Sequence, residues 1–553
     1  MSHQKRMQPH MMEQELRNRF EWLAEDALSH EDGRLEVTIP AERLIETAVF
    51  LKERGYDLLL DMVGMDYVDS FGVIYYVTMS EDLEEVLAIK VSTAEREDPV
   101  LPSVGGVWAV AQMYEREVFD YFGIRFEGNG DMRRLFLRES WKGFPLRKDY
   151  DMASNPVPLK NESMEDMDTI PEYGRDADGH RIVVARREMY GDDDYVVNFG
   201  PQHPAMHGVL HLRVSLDGEI VKSVDPHFGY IHRGIEKMCE GYTYPQILHL
   251  TDRLDYLSGT MNRHAVCLCC EKALQMDVPQ RAVVIRTIFD ELTRIASHLI
   301  GWGSICNDMG AVTAFIYSLR DREKIMDIFE ETAGGRLMAA YDVIGGVACD
   351  IHPDFCRRVK EFIPYMRKML REHHMLYTGN PIAAGRMKGV GYLSREDAIA
   401  LGITGPSGRA SGWANDLRKE EPYAAYGQVE FEQMLRSGGT AFDRYIIRLD
   451  EIEQSLRIIE QLIDNIPSGA YAEKVKGVLK LPAGDYFQRV ENARGQFGVH
   501  ITSRGDKTPY RVKFRSPSMT LVRGLQHVAP GYKVADLIML GGSFDYVIPC
   551  IDR

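Results

Sequence analysis

The sequence lacks the features that most readily reveal a function. It contains no uninterrupted run of about 18–20 apolar residues, so we expect no membrane-spanning helix. Residues 1–13 also lack the apolar core of a signal peptide. No GxGxxG follows a predicted strand and no GxxxxGK-Ser/Thr occurs, so nicotinamide and nucleoside triphosphate sites are not indicated. We therefore expect a cytoplasmic chain that other proteins hold at any membrane where it works.

Basic residues and paired cysteine motifs are also scarce. Lys and Arg number 66 against 83 Asp and Glu, which argues against a nucleic-acid-binding surface. The eight cysteines are irregularly placed and are expected to be reduced thiols. Cys267 and Cys270 have CxxC spacing, with Cys269 between them, but no second CxxC completes a four-ligand metal site. Residues 266–273 also predict a helix, so we expect buried hydrophobic cysteines and no metal or flavin bound by this chain.

Residues 1–150 predict an α+β domain, an α/β sandwich-like arrangement of strands and helices. The segment after Pro40 predicts a helix, because Leu44, Ala48 and Leu51 lie on one side of it. A second helix is expected over 107–122. Alternating or β-branched apolar runs predict strands at 34–39, 56–62, 73–79 and 86–92.

The remaining chain predicts a connector and a second, larger domain. Residues 151–190 contain Pro156, Pro158 and scattered acidic residues with little apolar periodicity, which predicts an extended linker. Residues 191–553 predict a mainly α-helical bundle with small β regions, the first of them over 195–224. Apolar stripes predict long helices around 284–299, 325–329, 355–366 and 449–463. A mixed, loop-rich tail is expected from 483 to 553.

The segment 198–208, NFGPQHPAMHG, carries the strongest functional signal. Its two histidines, His203 and His207, lie four residues apart between prolines and glycines. Proline fixes φ and glycine permits turns that other residues resist, so the segment can hold an imidazole in a defined position. Such rigidity is typical of a site that handles protons. The motif RLDY follows at 253–256.

With these motifs the chain resembles the C and D subunits of respiratory complex I, the NADH–quinone oxidoreductase. Residues from about 190 onwards resemble the D subunit, which forms the quinone site and is related to the large subunit of nickel–iron hydrogenases. Residues 114–126, YEREVFDYFGIRF, and 143–150, GFPLRKDY, resemble the C subunit. The order of the motifs matches the fused C/D form found in some bacteria.

The resemblance implies a site for quinone reduction. A quinone needs a proton donor at each of two carbonyl oxygens inside an otherwise apolar slot. In the family, a histidine and a tyrosine bind the headgroup and an aspartate lies behind the histidine; these match His207, Tyr256 and Asp308, the last in DMGA at 308–311. From spacing alone, the alternative that these are ordinary buried polar groups is favoured.

A predicted helix carries a second set of polar residues. Asp290, Arg294 and His298 are spaced by four, so their side chains share one face. The resemblance places Arg253 and His298 beside the terminal iron–sulfur cluster of a partner, where a histidine can link cluster reduction to proton uptake. Without the resemblance, a solvent-exposed ladder of charges is the favoured interpretation.

Nickel–iron hydrogenases provide a contrasting prediction. They hold their metal with two pairs of cysteines, whose places in this chain are taken by Asp255, Ser258, Val547 and Cys550. One thiol of four does not suffice for such a cluster. This favours quinone chemistry over hydrogen chemistry, although the sequence offers no account of Cys550.

The resemblance therefore predicts a translocase component that is active only in the assembled complex. It would receive electrons from the iron–sulfur cluster of the B subunit and pass them to ubiquinone or menaquinone, coupled to proton pumping. The implied partners are the B, I and H subunits and others of the peripheral arm, at the cytoplasmic side of the inner membrane. The sequence leaves open whether NADH, ferredoxin or another carrier is the donor. A nickel–iron hydrogenase-like subunit and a non-catalytic docking scaffold remain alternatives.

Overall fold

The computed structural model of the protein describes residues 9–151, 153, 155, 163–177, 180–202, 208–475 and 477–553. The chain divides into two compact units, Met1–Asp192 and Asp193–Arg553. Strands make up most of the regular structure in the first unit, and helices make up most of it in the second. The predicted α+β class is therefore confirmed. Among the described residues, no helix is long and apolar enough to cross a membrane.

The first unit is built around one mixed sheet. The strands of the whole unit are β1 (Leu28–Glu31), β2 (Arg34–Ile39), β3 (Leu58–Asp66), β4 (Phe71–Met79), β5 (Asp82–Thr93), β6 (Val100–Pro102), β7 (Arg125–Glu127), β8 (Thr169–Arg175) and β9 (Arg181–Glu188). Its helices are α1 (Pro9–Arg19), α2 (Leu44–Glu53), α3 (Ala111–Phe122) and α4 (Met164–Asp168), with 3-10 turns at Glu25–Ala27 and Ala41–Arg43. Strands β1 to β5 form the sheet in the order β1-β2-β5-β4-β3, in which β2 and β5 pair in parallel and the other neighbours are antiparallel. Strands β6 and β7 form a separate parallel pair.

The strands and helices predicted for the first unit are found close to their expected positions. β3 is buried along its whole length, and α3 packs against it. Gly64 of β3 permits this close approach, because a Cβ there would lie 2.5 Å from Cδ2 of Phe122. The predicted helix over 107–122 begins later, at Ala111.

An antiparallel hairpin replaces part of the predicted extended linker. The strands β8 and β9 pair with each other, and both belong to the first unit. The buried Asp98 carboxylate accepts hydrogen bonds from Nε of Arg181 at 2.6 Å, Nε of Arg175 at 3.1 Å and Nε of Arg125 at 2.9 Å. The linker predicted for 151–190 is therefore wrong for residues 163–188, which form α4 and this hairpin as part of the first unit. Charged side chains, which carry no apolar periodicity, make the contacts that hold this hairpin.

We expect Asp98→Asn to loosen the hairpin and to destabilise the first unit by about 2 kcal/mol, the scale of lost hydrogen bonds to a charged group. Burial opposes ionisation, yet Arg125 and Arg181 hold the pKa of Asp98 well below its usual range. A lowered carboxylate pKa stabilises the fold above the unfolded-state value of about 4, and this stabilisation is lost as the pH falls below it. Urea unfolding measures the free energy of unfolding of the variant and of the native sequence at pH 7 and at pH 3. The difference between the two free energies should be smaller at pH 3.

Asp26→Asn provides the control, because Asp26 is an exposed aspartate of the same unit. Its effect should stay within about 0.5 kcal/mol. A difference for Asp98→Asn that does not change with pH would contradict the proposed role of the ionised carboxylate.

The second unit is mainly helical. Its helices are α5 (Ile235–Gly241), α6 (Tyr244–Thr251), α7 (Gly259–Ala273), α8 (Gln280–Asp308), α9 (Val312–Ala333), α10 (Phe355–His373), α11 (Pro381–Met387), α12 (Arg395–Ala400), α13 (Gly405–Ala410), α14 (Leu417–Glu420), α15 (Ala441–Ile463), α16 (Pro517–Val528), α17 (Val534–Phe544) and α18 (Ile548–Asp552). A π-helical turn, His374–Thr378, follows α10, and a 3-10 turn occupies Tyr426–Gln428.

In the described part of the second unit, three small sheets accompany these helices. Their strands are β10 (Tyr195–Phe199), β11 (His211–Asp217), β12 (Ile220–His227), β13 (Asp342–Val343), β14 (Gly346–Val347), β15 (Gly484–Asn492), β16 (Gly495–Ser503) and β17 (Arg511–Arg515). Neighbouring strands are antiparallel in the orders β10-β11-β12, β13-β14 and β15-β16-β17. The tail from 483 to 553 is mixed, as predicted, but it is not loop-rich, because one sheet and three helices make up most of it.

Helix α8 forms the centre of the second unit. It packs against α7, α9, α15 and α17, and nearly all of its length is buried. The predicted apolar stripe over 284–299 lies within it, but the polar residues between the apolar ones are buried as well. A helix that is buried all round must pair its polar groups internally. These pairs form the surroundings of the candidate site.

Candidate functional site

The histidine-bearing segment 198–208 is described only at its ends. His203 and His207 lie outside the described residues. Gly208, which follows directly, has a φ of 134°, a conformation that favours glycine. A Cβ at Gly208 would lie 3.2 Å from Cγ1 of Ile548, the first residue of α18. The segment therefore ends against the start of α18.

Tyr256 lies in the turn between α6 and α7. Its side chain is half-buried and packs against an apolar cluster that α7, β15, β16 and β17 share. Burial raises the pKa of the Tyr256 phenol; nearby Arg494 opposes this shift, and Asp255 and Asp545 add to it. The phenol is therefore neutral at physiological pH and can donate a hydrogen bond.

A buried guanidinium lies beside this tyrosine. Nη1 of Arg494 lies 2.9 Å from Oδ2 of Asp255 and 3.0 Å from Oγ of Ser297. Nη2 of Arg494 lies 3.2 Å from Oδ1 of Asp545, which also pairs with Arg448 at 3.6 Å. Arg494 thus joins the turn before α7, helix α8 and the residue that ends α17. Buried carboxylates need such partners, because an unpaired buried charge is costly.

Asp308 is the last residue of α8, and its side chain is partly exposed. Burial, followed by the Asp308 carboxylate, raises the pKa of the buried Tyr546 phenol. Earlier on the same helix, a Cβ at Gly301 would lie only 2.7 Å from Oδ2 of Asp545. The C-terminal half of α8 therefore runs along residues 545–546.

The segments of Gly208, Tyr256 and Asp308 are far apart in sequence, yet all three lie close to residues 545–548. A Cβ at Gly208 would lie 3.2 Å from Ile548, and Asp545 and Asp308 lie near enough to Tyr256 and Tyr546, respectively, to raise the pKa of each phenol further. That His207, Tyr256 and Asp308 form one site stays a prediction, and this common neighbourhood supports it.

Of the four positions that match the hydrogenase cysteines, Asp255, Ser258 and Cys550 lie near the same guanidinium. Arg494 bonds Asp255 and, at 3.4 Å, Oγ of Ser258. Cys550 is buried, Oγ of Ser516 lies 2.9 Å from its Sγ, and burial raises its pKa to about 12. A cationic guanidinium between carboxylates, with one protonated thiol nearby, does not fit a nickel centre that needs several thiolates. Cys550 is accounted for as a buried thiol of the apolar cluster.

The polar face predicted on α8 points into the interior. Asp290, Arg294 and His298 are each at most 1% exposed, so an exposed charge ladder is wrong. Nε2 of His298 lies 2.9 Å from Oε2 of Glu451, a residue of α15. Burial lowers the pKa of His298 in spite of Glu451. His298 is therefore paired inside the unit, and its position beside a partner's cluster stays a prediction.

Arg253, by contrast, lies on the surface. Its Nη1 donates to the carbonyl of His249 at 2.7 Å, and Nη2 of Arg233 donates to the Arg253 carbonyl at 2.8 Å. Burial and the charge of Arg253 lower the pKa of Arg233. Two guanidinium groups thus lie close together at this surface, with the Asp552 carboxylate acting on Arg233 and the Asp252 carboxylate near Arg253.

The cysteines with CxxC spacing are structural. Cys267, Cys269 and Cys270 are buried in the apolar cluster on α7. Burial raises the pKa of Cys267 and of Cys270 well above the ordinary thiol value. The prediction that they act as small buried hydrophobes is confirmed.

Sequence patterns did not reveal Arg494 and Glu451, and they marked Asp545 only as the residue that aligns the second hydrogenase motif with Val547 and Cys550. Arg494 lies in the tight turn between β15 and β16, where a charged residue would ordinarily be exposed. Asp545 has a φ of 60° and ends α17, a position that a short polar residue commonly takes as a helix cap. For Glu451 a signal exists in the high share of charged residues in α15, which alternate there with apolar ones.

Similar proteins support both halves of the chain. The family described as respiratory-chain NADH dehydrogenase, 30 Kd subunit, matches residues 37–156, and the 49 Kd subunit family matches 308–480 and 472–553. The NADH-quinone oxidoreductase C/D subunit of Phocaeicola vulgatus is 53% identical over 94% of this chain and 99% of its own. That of Methylococcus capsulatus is 33% identical over 94% and 95%, and the D subunit of Desulforamulus reducens is 44% identical over 65% and 98%.

Proposed function

Because this chain belongs to the family of fused C/D subunits of NADH-quinone oxidoreductase, we propose that it supplies part of the site where a membrane quinone is reduced. The observation that carries the proposal is the common neighbourhood of Gly208, Tyr256 and Asp308 at residues 545–548. A slot with an apolar wall and polar groups at its ends is what a quinone headgroup needs.

Tyr256 and His207 would bind the two carbonyl oxygens of the headgroup. The phenol of Tyr256 stays protonated through burial, so it can donate a hydrogen bond and then a proton. His207 directly precedes the described Gly208, and Asp308 would lie behind its imidazole. A carboxylate there raises the imidazole pKa and orients the ring. The charges of Arg494, Asp255 and Asp545 hold the turn of Tyr256 in place.

Electrons would reach the quinone from an iron–sulfur cluster of a partner, the B subunit, near the exposed Arg253. The I and H subunits would be further neighbours, with the assembly at the cytoplasmic side of the inner membrane. The names of the relatives point to NADH as the donor and to a quinone as the acceptor. Reduction would then drive proton translocation elsewhere in the assembled complex.

We expect His207→Ala to lower quinone reductase turnover of the assembled complex by about 10²-fold or more, the usual contribution of a general acid. Asp308→Asn should lower turnover by about tenfold. Without the carboxylate the pKa of the His207 imidazole falls by about one unit, and the protonated fraction falls by about the same factor of ten. Turnover is measured with NADH and a soluble quinone, and reduction of the iron–sulfur clusters is followed separately by electron paramagnetic resonance. Cluster reduction by NADH should persist in both variants.

Asp354→Asn serves as the control, because Asp354 is a surface aspartate paired with Arg357. Its turnover should match that of the native sequence. Unchanged turnover in His207→Ala and Tyr256→Phe would instead favour a docking scaffold. Loss of cluster reduction in both would mean that assembly rather than quinone chemistry had failed.

A further inference from the structure

A second cluster of polar residues lies in the interior, outside the candidate quinone site. It consists of His264 on α7, Asp290 on α8 and Asp342 on β13, each 1% exposed. One donor atom from each residue lies within 4.8 Å of the other two. Three elements distant in sequence thus bring an imidazole and two carboxylates together.

Protein groups do not satisfy this cluster. Nδ1 of His264 and Oδ2 of Asp290 share one hydrogen bond of 2.6 Å. Nε2 of His264, Oδ1 of Asp290 and both carboxylate oxygens of Asp342 have no hydrogen-bond partner among the described residues. Buried polar atoms are normally paired, and a buried unpaired carboxylate is especially costly. The cluster therefore presents several donor atoms toward a shared space.

The nearest cationic side chains are already paired elsewhere. Arg286 donates to Oε1 and Oε2 of Glu271 at 2.7 and 3.0 Å. Arg263 donates to Oδ2 of Asp252 at 2.9 Å, and its Nε donates to the backbone carbonyl of Asp342 rather than to the carboxylate.

We propose that His264, Asp290 and Asp342 bind a divalent transition-metal cation of the zinc type. One imidazole nitrogen with carboxylate oxygens is a donor set that such cations take and that Mg²⁺ and Ca²⁺ seldom use. Bonds of about 2.0–2.2 Å put tetrahedral donors about 3.4 Å apart, so Nδ1 of His264 and Oδ2 of Asp290, now 2.6 Å apart, must separate slightly when the cation enters. A fourth ligand comes from the second oxygen of Asp342 or from water. The proton between His264 and Asp290 leaves when the cation binds.

The cation would act as a structural cross-link. It would join α7, α8 and β13, and α7 begins only three residues after Tyr256. The cation would therefore stiffen the support of that turn without touching the quinone. This inference does not depend on the proposed quinone chemistry.

The test uses the purified full-length chain, freed of metal with a chelator and then titrated with Zn²⁺. We expect about one tightly bound zinc per chain and a higher Tm in its presence. Asp342→Asn should weaken binding at least about 100-fold and abolish the zinc-dependent rise in Tm. Co²⁺ provides a spectroscopic probe, since its visible absorption should indicate a four-coordinate site in the native sequence only. Mg²⁺ at the same concentration should have no effect.

Asp321→Asn is the matched control, because Asp321 is a buried aspartate paired with a histidine, His373, at 2.9 Å. It should keep the zinc and its effect on Tm. In chelator, Asp342→Asn should be as stable as the native sequence or more so, because the substitution removes an unpaired buried charge; this separates metal loss from misfolding. Equal zinc content and equal zinc-dependent Tm shifts in the native sequence and Asp342→Asn would overturn the proposal, leaving water and protons as the cluster's occupants.

Discussion

We expect Tyr256→Phe to lower quinone reductase turnover of the assembled complex by about 10²–10⁴-fold, the range in which a positioned proton donor contributes. The substitution removes only the phenol O–H and keeps the ring that packs against the apolar cluster. The fold around it should therefore persist. Because the hydroxyl bonds the headgroup in both the ground and transition states, KM for a soluble quinone should rise as kcat falls.

Tyr365→Phe is the matched control for this prediction. Tyr365 is also half-buried, but its hydroxyl donates to Oδ1 of Asp321 at 2.7 Å, outside the candidate site. Its removal should cost some stability and leave turnover within about twofold of the native value. Equal turnover in the two variants would remove Tyr256 from the chemistry, whereas equal losses would indicate damage to the fold.

The second large effect concerns stability. We expect Arg494→Met to destabilise the second unit by about 3–5 kcal/mol, because it leaves Asp255 and Asp545 buried without their main partner. Methionine keeps much of the side-chain volume, so a cavity contributes little. Urea unfolding of the purified chain, followed by circular dichroism, gives the midpoint and slope from which the change is obtained.

The double variant Arg494→Met with Asp255→Asn separates charge from packing. It should recover part of the lost stability, since one of the two unpaired carboxylates is gone. Arg357→Met, at an exposed ion pair with Asp354 and Glu361, should change stability by no more than about 1 kcal/mol. A loss for Arg494→Met no larger than that for Arg357→Met would show that the buried network contributes little.

Periodicity predicted the regular elements because burial in them follows one face. The strands of the first unit and the helices α8, α9, α10 and α15 have apolar residues at the spacing that their structures require. The hairpin β8–β9 escaped prediction because arginines and one aspartate hold it in place. The strands beyond residue 483 were not predicted because their buried side chains are polar as well as apolar, so no alternating pattern appears.

Individual residues of the site could be proposed from the sequence, but their electrostatic surroundings could not. Tyr256 and Asp308 follow from short motifs, and the structure gives both a common neighbourhood with Gly208. Arg494 is more than 180 residues from those motifs in sequence, and only the fold brings it to Asp255. His298 shows the opposite case: its face on the helix is predicted correctly, yet that face lies inside the unit against Glu451.

The division of the chain into two compact units affects the stoichiometry and the assembly of the complex. Each unit has its own sheet and its own buried core, and among the relatives the D subunit also exists as a separate protein. Translation of both units as one polypeptide fixes their copy number as equal. The covalent link also keeps each unit at a high effective concentration near the other. The two units therefore stay together while the other subunits assemble with them.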